Sequence, residues 1–215
     1  MTLQELKKIV RQGEGLYIEF KLKTIYPYKI VKEIVAMANA KGGMLLIGIS
    51  DDGKLEGLQY ANEDEFVMRK NIDKFCKPKI DYETETIGLL NGKQVLVFHI
   101  KEAEHKPIFR LYDPKKKIGQ AFFRVADKSL QASREIRQIL KYEKSHHFGG
   151  FTYGENEQKL VKYLDQHSKI DVNTFAKLVN QDIKQASEAL IILTLTGLLE
   201  IKPEEHNDFF VMKNS

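Results

Sequence analysis

Gly13-Glu14-Gly15-Leu16-Tyr17-Ile18-Glu19-Phe20-Lys21, followed by Gly42-Gly43-Met44-Leu45-Leu46-Ile47-Gly48-Ile49-Ser50-Asp51-Asp52-Gly53, carries the pattern that decides the fold. In the first stretch Leu16, Ile18 and Phe20 alternate with Tyr17, Glu19 and Lys21. A period of two belongs to a strand buried on one face. Glu19 and Lys21 therefore leave that strand on the face opposite Ile18. The run from Met44 to Ile49 is apolar without alternation, as in a central strand covered on both faces. Acidic residues stand at the margins of both runs. Glu14 sits in the glycine-flanked approach to the first, and Asp51 ends the second. If the strands pair, Glu14, Glu19 and Asp51 could converge at one end of a sheet.

Three readings of such a carboxylate set stay open at this point. It can hold a divalent metal, do acid–base chemistry, or cap turns and pair with lysines. Asp52-Gly53 is also a hairpin-turn pair, which gives at least one aspartate ordinary turn chemistry.

Around these strands the chain alternates helical and extended patterns. Thr2-Leu3-Gln4-Glu5 opens an amphipathic helix over 2–11 with a capping box. Pro27 begins a second helix, in which Ile30, Val31, Ile34, Val35 and Ala38 keep helical spacing, and Gly42-Gly43 ends it. A short strand runs to Gly57. A third helix spans 62–76, with acidic groups at its positive end and a stop before Pro78. Strands at 80–88 and 93–100 meet at Asn91-Gly92. Strands at 107–112 and 118–125 meet through Asp113-Pro114-Lys115-Lys116-Lys117, and a helix at 131–142 closes this part. Strands outnumber helices and several are joined as hairpins, which predicts an α+β domain with a mixed or antiparallel sheet.

The last sixty residues have a different rhythm. Helix 156–167 carries Leu160, Val161 and Leu164. Asn173 caps a helix with Phe175, Ala176, Leu178 and Val179. A third helix runs to Thr196 through Ala186, Ala189, Leu190, Ile192 and Leu193. Leu198 to Lys202 and Phe209 to Lys213 form two strands. Three helices and a two-stranded wing are the order of a winged helix–turn–helix. The paired His146-His147 and the glycines after them mark a linker, here taken as solvated.

The 215 residues suit two small domains. No apolar run of about 18 residues exists to span a membrane, and the N-terminus lacks a charged-then-apolar leader. The single cysteine, Cys76, excludes an internal disulfide framework, reads as packed, and fits a reducing, cytoplasmic setting. No Cys/His spacing suggests zinc. Net charge is +4 but uneven. Residues 151–215 hold seven lysines, no arginine and ten acidic groups, a net of −3. The first 150 residues hold 27 basic groups against 20 acidic, a net of +7. Attraction to polyanions follows local charge, so it belongs to the first domain.

Taken in order, Glu14…Glu19-Phe20-Lys21, Ala36-Met37-Ala38-Asn39, Gly42-Gly43…Leu46-Ile47-Gly48…Asp51-Asp52-Gly53…Gly57 and Phe123-Arg124-Val125…Ala132-Ser133…Glu135-Ile136…Leu140 resemble the AlbA-type domain of the Schlafen superfamily. The match covers roughly residues 1–145. Arg124 falls on a serine-rich motif of the family, with Ala126-Asp127 where a Gly-Ser pair is common. The resemblance implies an α+β chain with three parts: a mixed-sheet Schlafen AlbA-like domain at 1–145, a linker at 146–154, and a small winged-helix domain at 155–215. Such proteins carry ATP-binding, DNA-binding and transcriptional-regulator labels, and some vertebrate relatives cut RNA with a Glu–Glu–Asp site that Glu14, Glu19 and Asp51 match in position.

Two functions follow as expectations. The first is a nucleic-acid-binding regulator. In it Lys21, Lys23, Lys115, Lys116, Lys117, Arg124 and Lys128 contact DNA or RNA, and the winged helix dimerises the chain or reads a site. Lys77 and Lys79 also lie near strand ends, and Tyr17, Tyr26, Tyr28 and Phe123 are candidates to stack bases. The second is a metal-dependent endoribonuclease, with Glu14, Glu19 and Asp51 as catalytic and metal residues holding Mg²⁺ or Mn²⁺. ATP is disfavoured as a cofactor. The pattern Gly-x4-Gly-Lys-Ser/Thr is absent, and Gly42-Gly43 joins helix to strand, the wrong order to hold phosphate. The third winged-helix segment offers Lys184, Gln185, Ser187 and Glu188 but no arginine, which argues against strong reading of bases. Its run Leu190-Ile191-Ile192-Leu193 predicts an apolar patch around Ile191 and Leu195 suited to a homodimer.

Overall fold

The computed structural model describes residues 1–144, 154–204 and 207–213. The chain forms two compact units, Met1–Gln131 and Ala132–Ser215. His146, His147, most of the expected linker and Glu205 of the expected wing lie outside the described residues. No described helix is long and apolar enough to cross a membrane.

In the first unit, α1 (Leu3–Gln12) opens with the expected capping box: the Thr2 hydroxyl accepts the Glu5 N–H, and the Glu5 carboxylate accepts the Thr2 N–H. Strand β1 (Ile18–Lys21) pairs parallel with β2 (Gly43–Ile47). Strand β2 pairs antiparallel with β5 (Gln94–Ile100), and β5 with β4 (Tyr82–Gly88). The order β1-β2-β5-β4 is thus a mixed sheet, because the connection from β1 to β2 carries a helix and the one from β4 to β5 is a tight hairpin.

Alternation divides this sheet between two cores. Ile18, Phe20, Leu46, Val95 and Val97 pack with Leu6 and Val10 of α1. Leu45, Ile47, Leu96, Phe98 and Ile100 pack on the other side with helix α2 (Pro27–Asn39) and α3 (Ala61–Phe75). A second sheet has the order β3-β6-β7-β8, from β3 (Cys76–Lys77), β6 (Phe109–Asp113), β7 (Ile118–Val125) and β8 (Lys128–Gln131). Helix α2 packs against β2 and β5 of one sheet and β6, β7 and β8 of the other. Nine of its 13 residues are buried, more than one amphipathic stripe allows, because it has a sheet on both sides. At its end Asn39 is fully buried. It donates to the carbonyls of Ile108 and Phe122 and accepts the Ile108 N–H, tying the helix to the second sheet.

The expected short strand before Gly57 reduces to one bridge, Ile49 with Leu55. Strands β3 and β8 were not expected, and β8 takes the position at which the helix from 131 was expected to start.

Helix α4 (Arg134–Tyr142) was expected to close the first domain. It belongs instead to the second unit, where it packs against α7 (Ile183–Leu195). Arg134 reaches Ser187 and Glu188 of α7, and Ser187 donates to Glu135. The rest of this unit is α5 (Glu155–Gln166), α6 (Val172–Val179), α7, and the antiparallel pair β9 (Leu199–Pro203) and β10 (Asp208–Met212). Helix α6 is capped by Asp171, whose carboxylate accepts the Thr174 N–H, rather than by Asn173. Leu160, Phe175, Ala186, Leu190, Leu193 and Phe210 form the core. Ile191 is only 6% exposed and Leu195 is half-buried, so the exposed patch expected on α7 is not there. An apolar helix with partners on two faces needs no second copy to cover it.

Two backbone positions test this description in one urea series. Gly42 has φ +77°, and a Cβ there would stand 2.5 Å from the Ile100 carbonyl oxygen, so Gly42→Ala should destabilise by about 1–3 kcal/mol. Ala126, in the turn from β7 to β8, holds φ +51° with a Cβ already present. Ala126→Gly should stabilise by roughly 0.5–1 kcal/mol, the left-handed penalty less glycine's entropy. Shifts of the same sign in both variants would contradict these backbone conformations.

Candidate functional site

The carboxylates singled out in the sequence have separate fates. Glu14 is exposed, and its Oε1 accepts the Phe20 N–H at 2.7 Å, satisfying β1 on its unpaired edge. Glu19 points to the face of β1 that the second layer covers and is 6% exposed. Its Oε1 accepts the Lys21 ammonium at 2.5 Å, and its Oε2 accepts Arg124 Nη2 at 2.6 Å. Asp51 lies exposed in the turn after β2. Its neighbour Asp52 accepts the Ser50 hydroxyl and pairs with Lys54, which hold its carboxyl down at about 2. That is turn chemistry, as expected for Asp52-Gly53.

Among the described residues no group of three or more His, Cys, Asp or Glu side chains comes together as a metal site, so Glu14, Glu19 and Asp51 do not form one. Both oxygens of Glu19 already face cations. The donor set does not fit Mg²⁺ or Mn²⁺, because a bound metal needs carboxylate oxygens that no ammonium or guanidinium occupies. Cys76 is buried, as expected of a packed residue, and burial pushes its thiol up to about 12.

Arg124, on β7, was expected to bind nucleic acid. Its side chain is fully enclosed, which removes it from that role. The guanidinium donates to Glu19, to Glu33 of α2 at 3.1 Å, to the carbonyls of Gly15 and Ile18, and to the Ser129 hydroxyl. Ser129 in turn donates to Glu33. Burial raises the Glu19 carboxyl above its ordinary value, and the Glu33 charge adds to this against the pull of Lys21 and Arg124.

The remaining lysines reach solvent to different degrees. Lys21 is half-buried beside Glu19. Lys23, Lys115, Lys116, Lys117 and Lys128 are exposed. The triple lysine forms the tip between β6 and β7, where Asp113 accepts the N–H groups of Lys115 and Lys116. Tyr17 and Tyr26 are exposed, whereas Tyr28 packs edge-on against Phe75 and Phe123 is half-buried.

An open cleft of about 570 Å³ lies where the segment 22–26 leaves β1 and enters α2. Its cations are Lys21, Lys23, Lys29, Lys32 and Arg110, and its one acid is Glu33. Glu33 is committed to Arg124 and Ser129, with Lys32 at 3.3 Å. Lys23 and Lys29 have no carboxylate partner among the described residues. The Arg110 guanidinium is held between two rings, 4.5 Å from Tyr28 and 4.8 Å from Phe122, and its Nε is buried without a hydrogen-bond partner. Leu22, Ile25 and Tyr26 supply apolar walls. Lys29, Lys32 and Arg110 were not picked out in the sequence. Lys29 and Lys32, three apart at the start of α2 and close after Lys21 and Lys23, carried a usable signal. Arg110 sits on β6 of the other sheet, far along the chain from these lysines, and carried none.

Residues 14–133 match the family described as Schlafen, AlbA_2. No curated protein matches the chain. Among solved structures, the N-terminal domain of a RecG-related protein from Nitrosomonas europaea is 19% identical, covers 70% of this chain and 99% of its own, and has a TM-score of 0.45. The DIP2311 protein from Corynebacterium diphtheriae is also 19% identical, covers 92% of this chain and has a TM-score of 0.44; this chain spans 34% of it.

Removing the buried guanidinium takes the shared partner from two buried carboxylates and leaves Glu19 only Lys21, and Glu33 only Lys32 and Ser129, so Arg124→Met should cost about 3–5 kcal/mol in urea unfolding. A loss under about 1 kcal/mol, the range of a surface pair, would contradict the buried network. Glu19 gives a pH signature. Its carboxyl is raised in the folded state, so its contribution is fully present below the ordinary value of 4.5 and is lost as pH rises through the folded value. Glu19→Gln does not titrate, so the stability of the parent relative to this variant should fall as pH rises from 4.5 through the raised folded value. A gap that widens with pH would reverse the assignment.

Proposed function

The chain belongs to the Schlafen AlbA_2 family, and from that premise we propose that its first unit binds nucleic acid through the cleft between segment 22–26, α2 and Arg110. The observation that carries this is the charge of the cleft: Lys21 is paired with Glu19, and Glu33 with Arg124 and Lys32, which leaves Lys23, Lys29 and Arg110 without a carboxylate partner among the described residues. Phosphate groups are recognised by mobile ammonium groups and by a planar guanidinium held in place. Lys23 and Lys29 offer the first. Arg110, clamped by rings rather than spent on a carboxylate, offers the second. The exposed Lys115, Lys116, Lys117 and Lys128 extend the positive surface of the same unit.

The second unit is proposed as a winged helix–turn–helix, supported by its order of three helices, α5 to α7, and the β9–β10 hairpin. Its role in a regulator is contact rather than strong DNA reading. On α7, Ser187 is fully buried against Arg134 and Glu135, and Glu188 pairs with Arg134. Those groups are spent within the unit, and its residues 151–215 carry a net charge of −3. The homodimer loses the exposed Ile191 patch that suggested it. The nuclease alternative has no observation in its favour, since Glu19 is closed by cations on both oxygens.

The test is binding of the full chain to labelled nucleic acid over a range of salt. Lys23→Glu with Lys29→Glu should weaken binding at least about tenfold and lower the slope of log K against log salt by roughly 1–2, as expected for loss of up to two phosphate contacts. Lys115, Lys116 and Lys117 changed together to Glu measure the share of the β6–β7 tip. If the first variant keeps the parent's slope, the cleft is not the interface.

A further inference from the structure

Resting on the nucleic-acid reading above, we infer that the cleft takes a single strand, with an unstacked base placed against Tyr26. Its walls are the reason. Leu22 is 41% exposed, Ile25 67% and Tyr26 65%, side by side with the cations. A duplex presents phosphates on its outside and keeps its bases stacked, so it gives these side chains nothing to cover. A single strand presents both a charged backbone and free base faces, and aromatic platforms between cations are the usual means of holding it. A cleft of about 570 Å³ is in the range of small-ligand sites, about 300–1,000 Å³, which accommodates a nucleotide or two.

The platform is also fixed in place. Tyr26 is the N-cap of α2, and Pro27 follows it at the first helical position. Thr24 donates to Asp64 at the start of α3, which pins the segment leading to Tyr26. Helix α2 itself is held between two sheets. Lys29 Nζ lies 4.8 Å from the centroid of the Tyr26 ring, so the ring and a phosphate-binding ammonium form one unit on the first turn of the helix. Tyr26 makes no side-chain capping bond, so replacing its ring removes the contact with Lys29 and leaves the cap of α2 as it is.

The experiment uses the full chain and three fluorescent probes of equal phosphate count: an oligo(dT), an oligo(rU) and a hairpin duplex. At least one single strand should bind at least about tenfold tighter than the duplex. Whether oligo(dT) or oligo(rU) binds better distinguishes DNA from RNA as the source of that strand. Tyr26→Ala should lose roughly 5- to 100-fold of single-strand affinity, the range for one stacked base, with the salt slope unchanged, and Tyr26→Phe should restore it. Circular dichroism checks that the variants are folded. Duplex binding as tight as single-strand binding, or an unaffected Tyr26→Ala, overturns this inference and leaves the cleft as a general nucleic-acid site. Failure of all three probes to bind overturns the proposed function itself.

Discussion

One guanidinium organises the first unit. Arg124 stands inside the protein with no contact to solvent, and its donors are shared among Glu19 of β1, Glu33 of α2, Ser129 of β8 and the carbonyls of Gly15 and Ile18. A buried charge is tolerated only when it is paired and fully hydrogen-bonded. The edge strand of one sheet, the central helix and two strands of the other sheet must therefore meet at one point. Such a network adds little net stability over an apolar filling, but it penalises any arrangement that leaves one carboxylate behind. The same two Glu19 oxygens that a metal ion would need accept from Arg124 and Lys21.

The cleft depends on that arrangement. Glu33 anchors the first half of α2, and Asn39 anchors its end to the carbonyls of Ile108 and Phe122. With a sheet on either side, the helix has little freedom to move, and its first two turns present the exposed Lys29 and the half-buried Lys32 in a set position. Arg110 reaches the same place from β6 and rests against Tyr28 and Phe122. The contrast between the two arginines is instructive. Arg124 is surrounded by acceptors and is structural. Arg110 is surrounded by rings and has no carboxylate partner among the described residues.

The second unit divides its apolar surface differently. Helix α7 buries Ala186, Leu190 and Leu193 in a small core, while α4 lies against it and Ile191 is covered. The ion pairs and hydrogen bonds of Arg134 and Glu135 with α7 use up polar groups at its start. The positive excess of the chain lies in the first unit, residues 1–131, at +5, whereas the second, residues 132–215, is close to neutral at −1.

Local chemistry was legible in the amino-acid sequence. The alternation of Ile18 and Phe20 set β1, the capping box of Thr2 and Glu5 set α1, and Gly42 ended α2 because the left-handed region favours glycine. The α+β class and the mixed sheet followed from the order of such signals, as did the turns at Asp52-Gly53 and Asn91-Gly92. Each depends on neighbours a few residues apart. What the tertiary structure decided depends on residues far apart. The polar face of β1 looked solvated, yet a second sheet and α2 bury it, and the partner of Glu19 lies 105 residues further on. The stripe of α4 fits either unit by pattern alone, and only packing assigns it to α7. A lysine or arginine reads the same in sequence whether it faces water, a carboxylate or an aromatic ring. Its surroundings, which the fold supplies, separate the structural Arg124 from the cations of the cleft.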